Sequence, residues 1–272
     1  MTTLERASSA AAARTTALRR FAAGIAWLAC AACFACAATA AAHDLTQFDD
    51  KAPAPTVRYT LGLLVRGPSW TPERTPRTDS IQAGHMANIG RMWKHGALVA
   101  AGPFANGGEL RGVFVFRPGE DPLDSLMAGD SAIATRRLLC QRYPWIGAPG
   151  FGDDYRHRTE ERAKQGLPPQ DSMLTFGWVM LRRGPKYDSN PSEKVMQLLQ
   201  KHAAYTEELR KNGRLVFSGA VEGTGDLRGV LIMKGDSTEV ARAMADDPAV
   251  RAGRFTPHIL RWWTAWGNVP GH

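Results

Sequence analysis

Four polar residues of this 272-residue chain sit where the hydrophobic spacing calls for apolar ones. His85 stands midway between Ile81 and Ile89, and His202 stands seven residues after Val195 and seven before Leu209. Asp130 continues the stripe Leu123, Leu126, Met127, and Asp247 continues Val240, Ala243, Met244. Residues at such intervals share one face of a helix, so all four side chains are directed at the layer between the helices and their support. An imidazole changes charge near neutral pH and can move a proton on a bound molecule. A carboxylate in an apolar layer is costly unless paired, and a protonatable imidazole is its natural partner. The same residues also have plainer readings. A histidine on an apolar stripe can be a satisfied core residue. Asp247 before Pro248 can be a helix N-cap with Pro at the first helical position, and Asp130 before Ser131 can cap similarly.

Other chemistries find less support. His95, His157, His258 and His272 show no ligand spacing, so no metal is expected. There is no phosphate loop, no Gly-x-Ser-x-Gly and no dinucleotide fingerprint, so no cofactor is expected. Arg111 and Arg228 can hold an anionic substrate or can be surface or salt-bridged strand residues. Gly102-Pro103 can shape a pocket wall or end a strand. Trp262, Trp263 and Trp266 can line a pocket, or pack in the core and between the halves. The composition, 44% hydrophobic and 22% charged, is that of a soluble globular protein. The formal charge of +8 is spread and mixed in sign, as in Asp153 to Lys164, with no basic stripe of the kind nucleic acid requires.

The elements that must position the four residues follow from an internal match. Shifted by 117 residues, the chain aligns with itself without a gap over 57–150 against 174–267, and about a quarter of the positions are identical. Arg66-Gly67-Pro68 falls on Arg183-Gly184-Pro185, His85 on His202, Leu110 to Val113 on Leu227 to Val230, Asp130 on Asp247 and Trp145 on Trp262. This reads as a duplicated domain. In the second copy Leu174, Phe176, Trp178 and Met180 alternate as in a strand. Asn190-Pro191-Ser192 opens a helix carrying Val195, Leu198, Leu199, His202, Tyr205, Thr206 and Leu209, and Asn212-Gly213 stops it. Strands over 214–219 and 227–233, a helix over 237–246, a turn from Pro248 to Gly253 and a strand over 255–266 follow. The first copy gives the same order. The expected fold class is therefore α+β, a ferredoxin-like βαββαβ unit used twice. Each unit leaves one sheet face uncovered, so the two sheets are expected to pack face to face as an intramolecular α+β barrel. That predicts a monomer that is its own pseudo-dimer. Residues 43–56 read as an N-terminal linker, 57–150 and 174–268 as the repeats, and 151–173, with Gly166-Leu167-Pro168-Pro169, as a polar surface linker.

A helix-borne His, the run Gly-x-Leu-x-x-x-Gly-Pro (Gly96 to Pro103), Gly-Val-x-x-Phe on a strand and Ala-x-Asp-Pro-Ala-Val-x-Ala-Gly (Ala245 to Gly253) together resemble the YCII-related (YciI-like) domain family. The resemblance covers both copies and implies the dimeric α+β barrel superfamily. It also implies a His–Asp pair as the catalytic element, here His85 with Asp130 and His202 with Asp247. The first copy keeps Gly102-Pro103 but has Asp130-Ser131, and the second keeps Asp247-Pro248 but has Gly219-Ala220, so which copy is active stays open. A chloride-eliminating enzyme of ring degradation is among the activities linked to the family. The implied function is proton transfer, of isomerase or lyase type, on a small organic molecule. The alternative is a non-catalytic binding or structural barrel protein.

Residues 1–42 contain 18 alanines, with Arg14, Arg19 and Arg20 ahead of an uncharged stretch that ends Ala40-Ala41-Ala42. This is the pattern of a secretory signal peptide, with cleavage expected after Ala42 and a periplasmic or secreted product. An uncleaved membrane anchor, lipidation at Cys30 and a twin-arginine signal at Arg19-Arg20 are the rival readings. Cys30, Cys33 and Cys36 lie in this segment, which leaves Cys140 alone in the mature chain and excludes a disulfide scaffold.

Overall fold

The computed structural model describes residues 54–106, 108–119, 122–169, 172–190 and 192–272. The expected N-terminal signal over 1–42, with its cysteines, and most of the expected 43–56 linker lie outside the described residues. Within them the order is β1 (Val57–Arg66), α1 (Pro76–His95), β2 (Leu98–Pro103), β3 (Leu110–Phe116), α2 (Leu123–Ala128), α3 (Ser131–Ala134), β4 (Leu138–Gly147) and α4 (Asp153–Lys164). Next come β5 (Met173–Arg183), α5 (Glu193–Lys211), β6 (Leu215–Val221), β7 (Leu227–Met233), α6 (Ser237–Asp246), α7 (Pro248–Arg251) and β8 (Phe255–Ala265). The fold is α+β with an antiparallel sheet. The strands run in the order β2-β3-β1-β4-β6-β7-β5-β8.

Each half uses the order second–third–first–last, and irregularities of register recur at corresponding places. Pairing shifts at Leu64/Val65 and at Leu98/Ala100 in the first half, and at Leu181/Arg182 and Leu215/Phe217 in the second. The halves join where Trp145 faces Val221 and Gly147 faces Gly219. The counterpart of that join is a bridge between Phe104 and Trp262, flanked by Ala105 N–H donating to the Arg261 carbonyl at 2.9 Å. Glycine is obligatory at both seams. A Cβ on Gly102 would sit 1.8 Å from the Trp263 carbonyl oxygen, and one on Gly219 would sit 2.5 Å from that of Ile146.

Strand alternation sorts the core into three clusters. Tyr59, Leu61, Leu63, Trp145, Trp178, Phe217 and Trp262 meet in one apolar interior shared by both halves. The opposite faces pack under the helices. Leu64, Phe114 and Phe116 meet Met92 and Met127 in the first half, and Val179, Leu181 and Leu231 meet Leu209, Val240 and Met244 in the second. Both faces are covered, so the middle of each first strand is a continuous buried run.

Three expectations change here. The 151–173 segment carries α4, and Phe151 at its start is inserted into the shared interior, where its N–H donates to the Tyr59 hydroxyl at 3.2 Å. The turn expected from Pro248 is a four-residue helix, α7, barely one turn long and too short to show a repeating period. Trp262 is buried in the interior, but Trp263 and Trp266 are half exposed, and the Arg158 guanidinium lies over the Trp266 ring at 3.6 Å. No helix among the described residues is long and apolar enough to cross a membrane.

Candidate functional site

The site begins with how α1 and α5 are fixed. Thr75 caps α1 in a reciprocal box with Thr78, and Gly96 ends the helix in the left-handed conformation. Ser192 caps α5 by accepting the Val195 N–H. These ends set the rotation that turns His85 and His202 toward the sheet.

Each histidine then meets its aspartate. His85 Nδ1 lies 2.9 Å from Asp130 Oδ1 and 2.8 Å from Oδ2. His202 Nδ1 lies 2.7 Å from Asp247 Oδ2. Both carboxylates are fully buried, and both pairs are 45 residues apart in the chain. Each carboxylate is also a helix cap. Asp130 Oδ1 accepts the N–H groups of Ala132 at 3.0 Å and Ile133 at 3.2 Å, opening α3. Asp247 Oδ1 accepts those of Ala249 at 2.8 Å and Val250 at 3.3 Å, opening α7. Pairing and capping, opposed as readings of the sequence, are two bonds of one side chain. The backbone donors and the imidazole together compensate the desolvation of a buried carboxylate. The carboxylate accepts Nδ1–H, which fixes the tautomer and leaves Nε2 as the ring nitrogen open to other partners.

The surroundings of the two rings differ. His85 stacks on Phe114 with centroids 5.8 Å apart, and it lines a cavity of ≈ 330 Å³ between α1 and the sheet. Gln82, Met86, Ile89, Val113 and Leu138 contribute to the wall, as do Gly102 and Pro103. His202 instead meets Phe255 edge-on at 5.5 Å, and its side chain is 18% exposed against 9% for His85. A larger hollow of ≈ 470 Å³ lies at Arg58, His95 and Arg117 and includes neither pair.

A second constellation escaped the reading of the sequence. The guanidiniums of Arg66, Arg111 and Arg137 lie over the Trp70 ring at 5.1, 4.7 and 4.6 Å. Those of Arg183, Arg228 and Arg254 lie over Tyr187 at 4.6, 6.0 and 4.6 Å. Trp70 and Arg111 line the His85 cavity. Burial, and then the neighbouring Arg66 and Arg137 cations, hold the Arg111 guanidinium below its ordinary range, with Glu109 acting the other way. The signal was present in the aligned positions of Arg66, Trp70, Arg111 and Arg137 with their counterparts, but no local period marks residues brought together from four strand ends and loops.

Among the described residues no three His, Cys, Asp or Glu side chains gather as a metal site would require. Comparison with known proteins adds the following. No curated protein matches the sequence. Among solved structures, a chlorite dismutase variant from Candidatus Nitrospira defluvii is similar at TM-score 0.49 and 11% identity, over 80% of this chain and 94% of that one. A heme-binding protein from Thermus thermophilus is similar at TM-score 0.45 and 15% identity, over 80% and 95%. The family model of the YCII-related domain matches residues 178–264, a span that begins in β5 and ends in β8.

Proposed function

We propose that the chain is an enzyme of proton transfer, of isomerase or lyase type, acting on a small organic molecule in the cavity beside His85. One observation carries this reading: a histidine held by a buried carboxylate at 2.8 Å stands on the wall of a ligand-sized cavity. His85 Nε2 takes a proton from a ligand carbon and the imidazolium returns it to a neighbouring atom or to a leaving group. Asp130 keeps the ring in the required tautomer and stabilises the cation formed. A base so placed contributes about 10²–10⁴ in rate. The test is to find a ligand by thermal-shift screening and follow solvent deuterium entering it by NMR. Exchange that disappears in His85→Gln supports the reading, and exchange that survives there refutes it.

The capping role of Asp130 and Asp247 favours a second reading, in which the pairs are structural and the protein binds or scaffolds without turnover. A ligand that binds but never exchanges with the wild-type chain is the outcome that selects it.

The shared element order, the matched register shifts and the two seams support residues 57–150 and 174–268 as duplicated units that close into one intramolecular α+β barrel, complete as a monomer. Light scattering of the purified chain reads this directly: monomer mass is expected. Residues 1–42 are read as an export signal, so the N-terminus of the periplasmic or secreted product is expected at His43.

A further inference from the structure

We propose that the ligand of the His85 cavity is an organic acid, a compact apolar body bearing one carboxylate that Arg111 binds at the cavity wall. This rests on the reading of that cavity as the functional site and adds the chemical class of its occupant. Three cations converge on Trp70 in the first half, and one carboxylate answers them: Glu109 bonds Arg66 at 3.2 Å. Arg137 is tied to Thr71, donating to its hydroxyl at 3.0 Å and its carbonyl at 2.5 Å. Arg111, the one of the three that lines the cavity, has a single long bond to the Gly108 carbonyl at 3.3 Å. No carboxylate among the described residues bonds it, and most of its guanidinium donors are uncommitted.

Like charges held this close repel, and stacking on an indole face offsets only part of that repulsion. An anion entering the cavity removes the remainder, and a guanidinium fork matches a carboxylate in two parallel bonds. The rest of the lining selects the body of the ligand. Leu64, Ile89, Val113, Phe114 and Leu138 are apolar, so a multiply charged or heavily hydroxylated ligand would leave groups unpaired against them. Anchored by its carboxylate at Arg111, a molecule of this size lies across the same cavity wall as His85.

The test uses matched acids and amides of equal shape: benzoate with benzamide, cyclohexanecarboxylate with cyclohexanecarboxamide, and phenylacetate with phenylacetamide. Binding to the full chain is measured by ligand-detected NMR. At least one acid is expected to bind tenfold or more tightly than its amide. Arg111→Gln should abolish that preference, and Glu109→Gln, an exposed change that unbalances the cluster further, should strengthen acid binding several-fold. If no acid outcompetes its amide, or if the preference persists in Arg111→Gln, the proposal is overturned. Should Arg111→Gln fail to fold, unchanged acid affinity in Glu109→Gln overturns it instead. His85→Gln separates the two claims: acid preference retained there without exchange activity sinks proton transfer alone, and exchange in wild type without acid preference sinks the anion site alone.

Discussion

The two halves build the same His–Asp couple on different surroundings. Both aspartates cap a four-residue helix and accept from a histidine 45 positions earlier, so the couple is set by backbone geometry that the halves share. The ring environments are set by side chains that differ. Gln82, Met86 and Ile89 along α1 become Leu199, Ala203 and Thr206 along α5. The aromatic partner changes strand: Phe114 of β3 serves His85 where β7 has Leu231, and Phe255 of β8 serves His202 where β4 has Leu138. The backbone that places the couple is therefore shared, and the surroundings of the ring distinguish the halves.

The largest contrast should be catalytic. His85→Gln is expected to lower ligand proton exchange by about 10²–10⁴, the worth of a positioned base, and His202→Gln to leave it within about twofold. Equal losses, read by NMR in deuterium oxide, would make the halves functionally equivalent and break the comparison.

Stability should show the opposite pattern. Asp130→Ala and Asp247→Ala each remove a cap and strand an imidazole donor, buried at His85 and half-buried at His202, so each should cost about 3 kcal/mol in urea unfolding. Similar losses in both halves are expected. A loss near zero for one of them would mean that its carboxylate is not the compensated group its bonds describe.

The exchanged aromatics give a smaller effect. Phe114→Leu alone should cost about 1 kcal/mol through lost packing and ring contact with His85. Adding Leu138→Phe reproduces the arrangement of the second half and should recover about half of that, a coupling a double-mutant cycle resolves. Strictly additive losses would show that the two positions are not alternative supports for one ring.

Much of this was legible from the residues. The strand-by-strand order of both halves followed from alternation in segments such as Leu174 to Met180 and from the stripe Val195 to Leu209, because burial on fixed faces imposes those periods. That His85 and Asp130 face one layer was legible because both break an apolar stripe, and their pairing was what the resemblance to the YCII-related family implied. What was not legible lacks a local period. α4 is polar on nearly all sides and is tethered by Arg156 to the Trp93 carbonyl and by Arg158 to that of Trp266, with Phe151 buried ahead of it, so its sequence reads as linker. The arginines on Trp70 come from four separated positions that only the folded chain assembles. Trp263 and Trp266 were expected inside, but Trp263, next to the buried Trp262 on β8, faces the opposite way, and Trp266 lies past the end of that strand.

Cys140 offers the finest measure of whether the halves behave as two regions or one. It lies on β4 against the helix-side cluster of the first half, and its counterpart on β8 is Pro257, so a thiol probe reports the first half alone. Burial pushes its thiol up to about 11, with Arg142 opposing and Asp130 reinforcing the rise. A raised thiol pKa suppresses the reactive thiolate, so at pH 8 Cys140 should label about 10²-fold more slowly than an exposed cysteine, followed by mass spectrometry of its peptide. Labelling then reports local opening, which exposes the thiol and returns it to its ordinary acidity. Asp130→Ala loosens α3 directly above β4 and should speed labelling several-fold, whereas Asp247→Ala loosens α7 in the other half and should change it by less than twofold. Equal acceleration by both substitutions would mean that the shared aromatic interior couples the halves into a single opening unit, so that a difference in ligand access could not be matched by independent local stability.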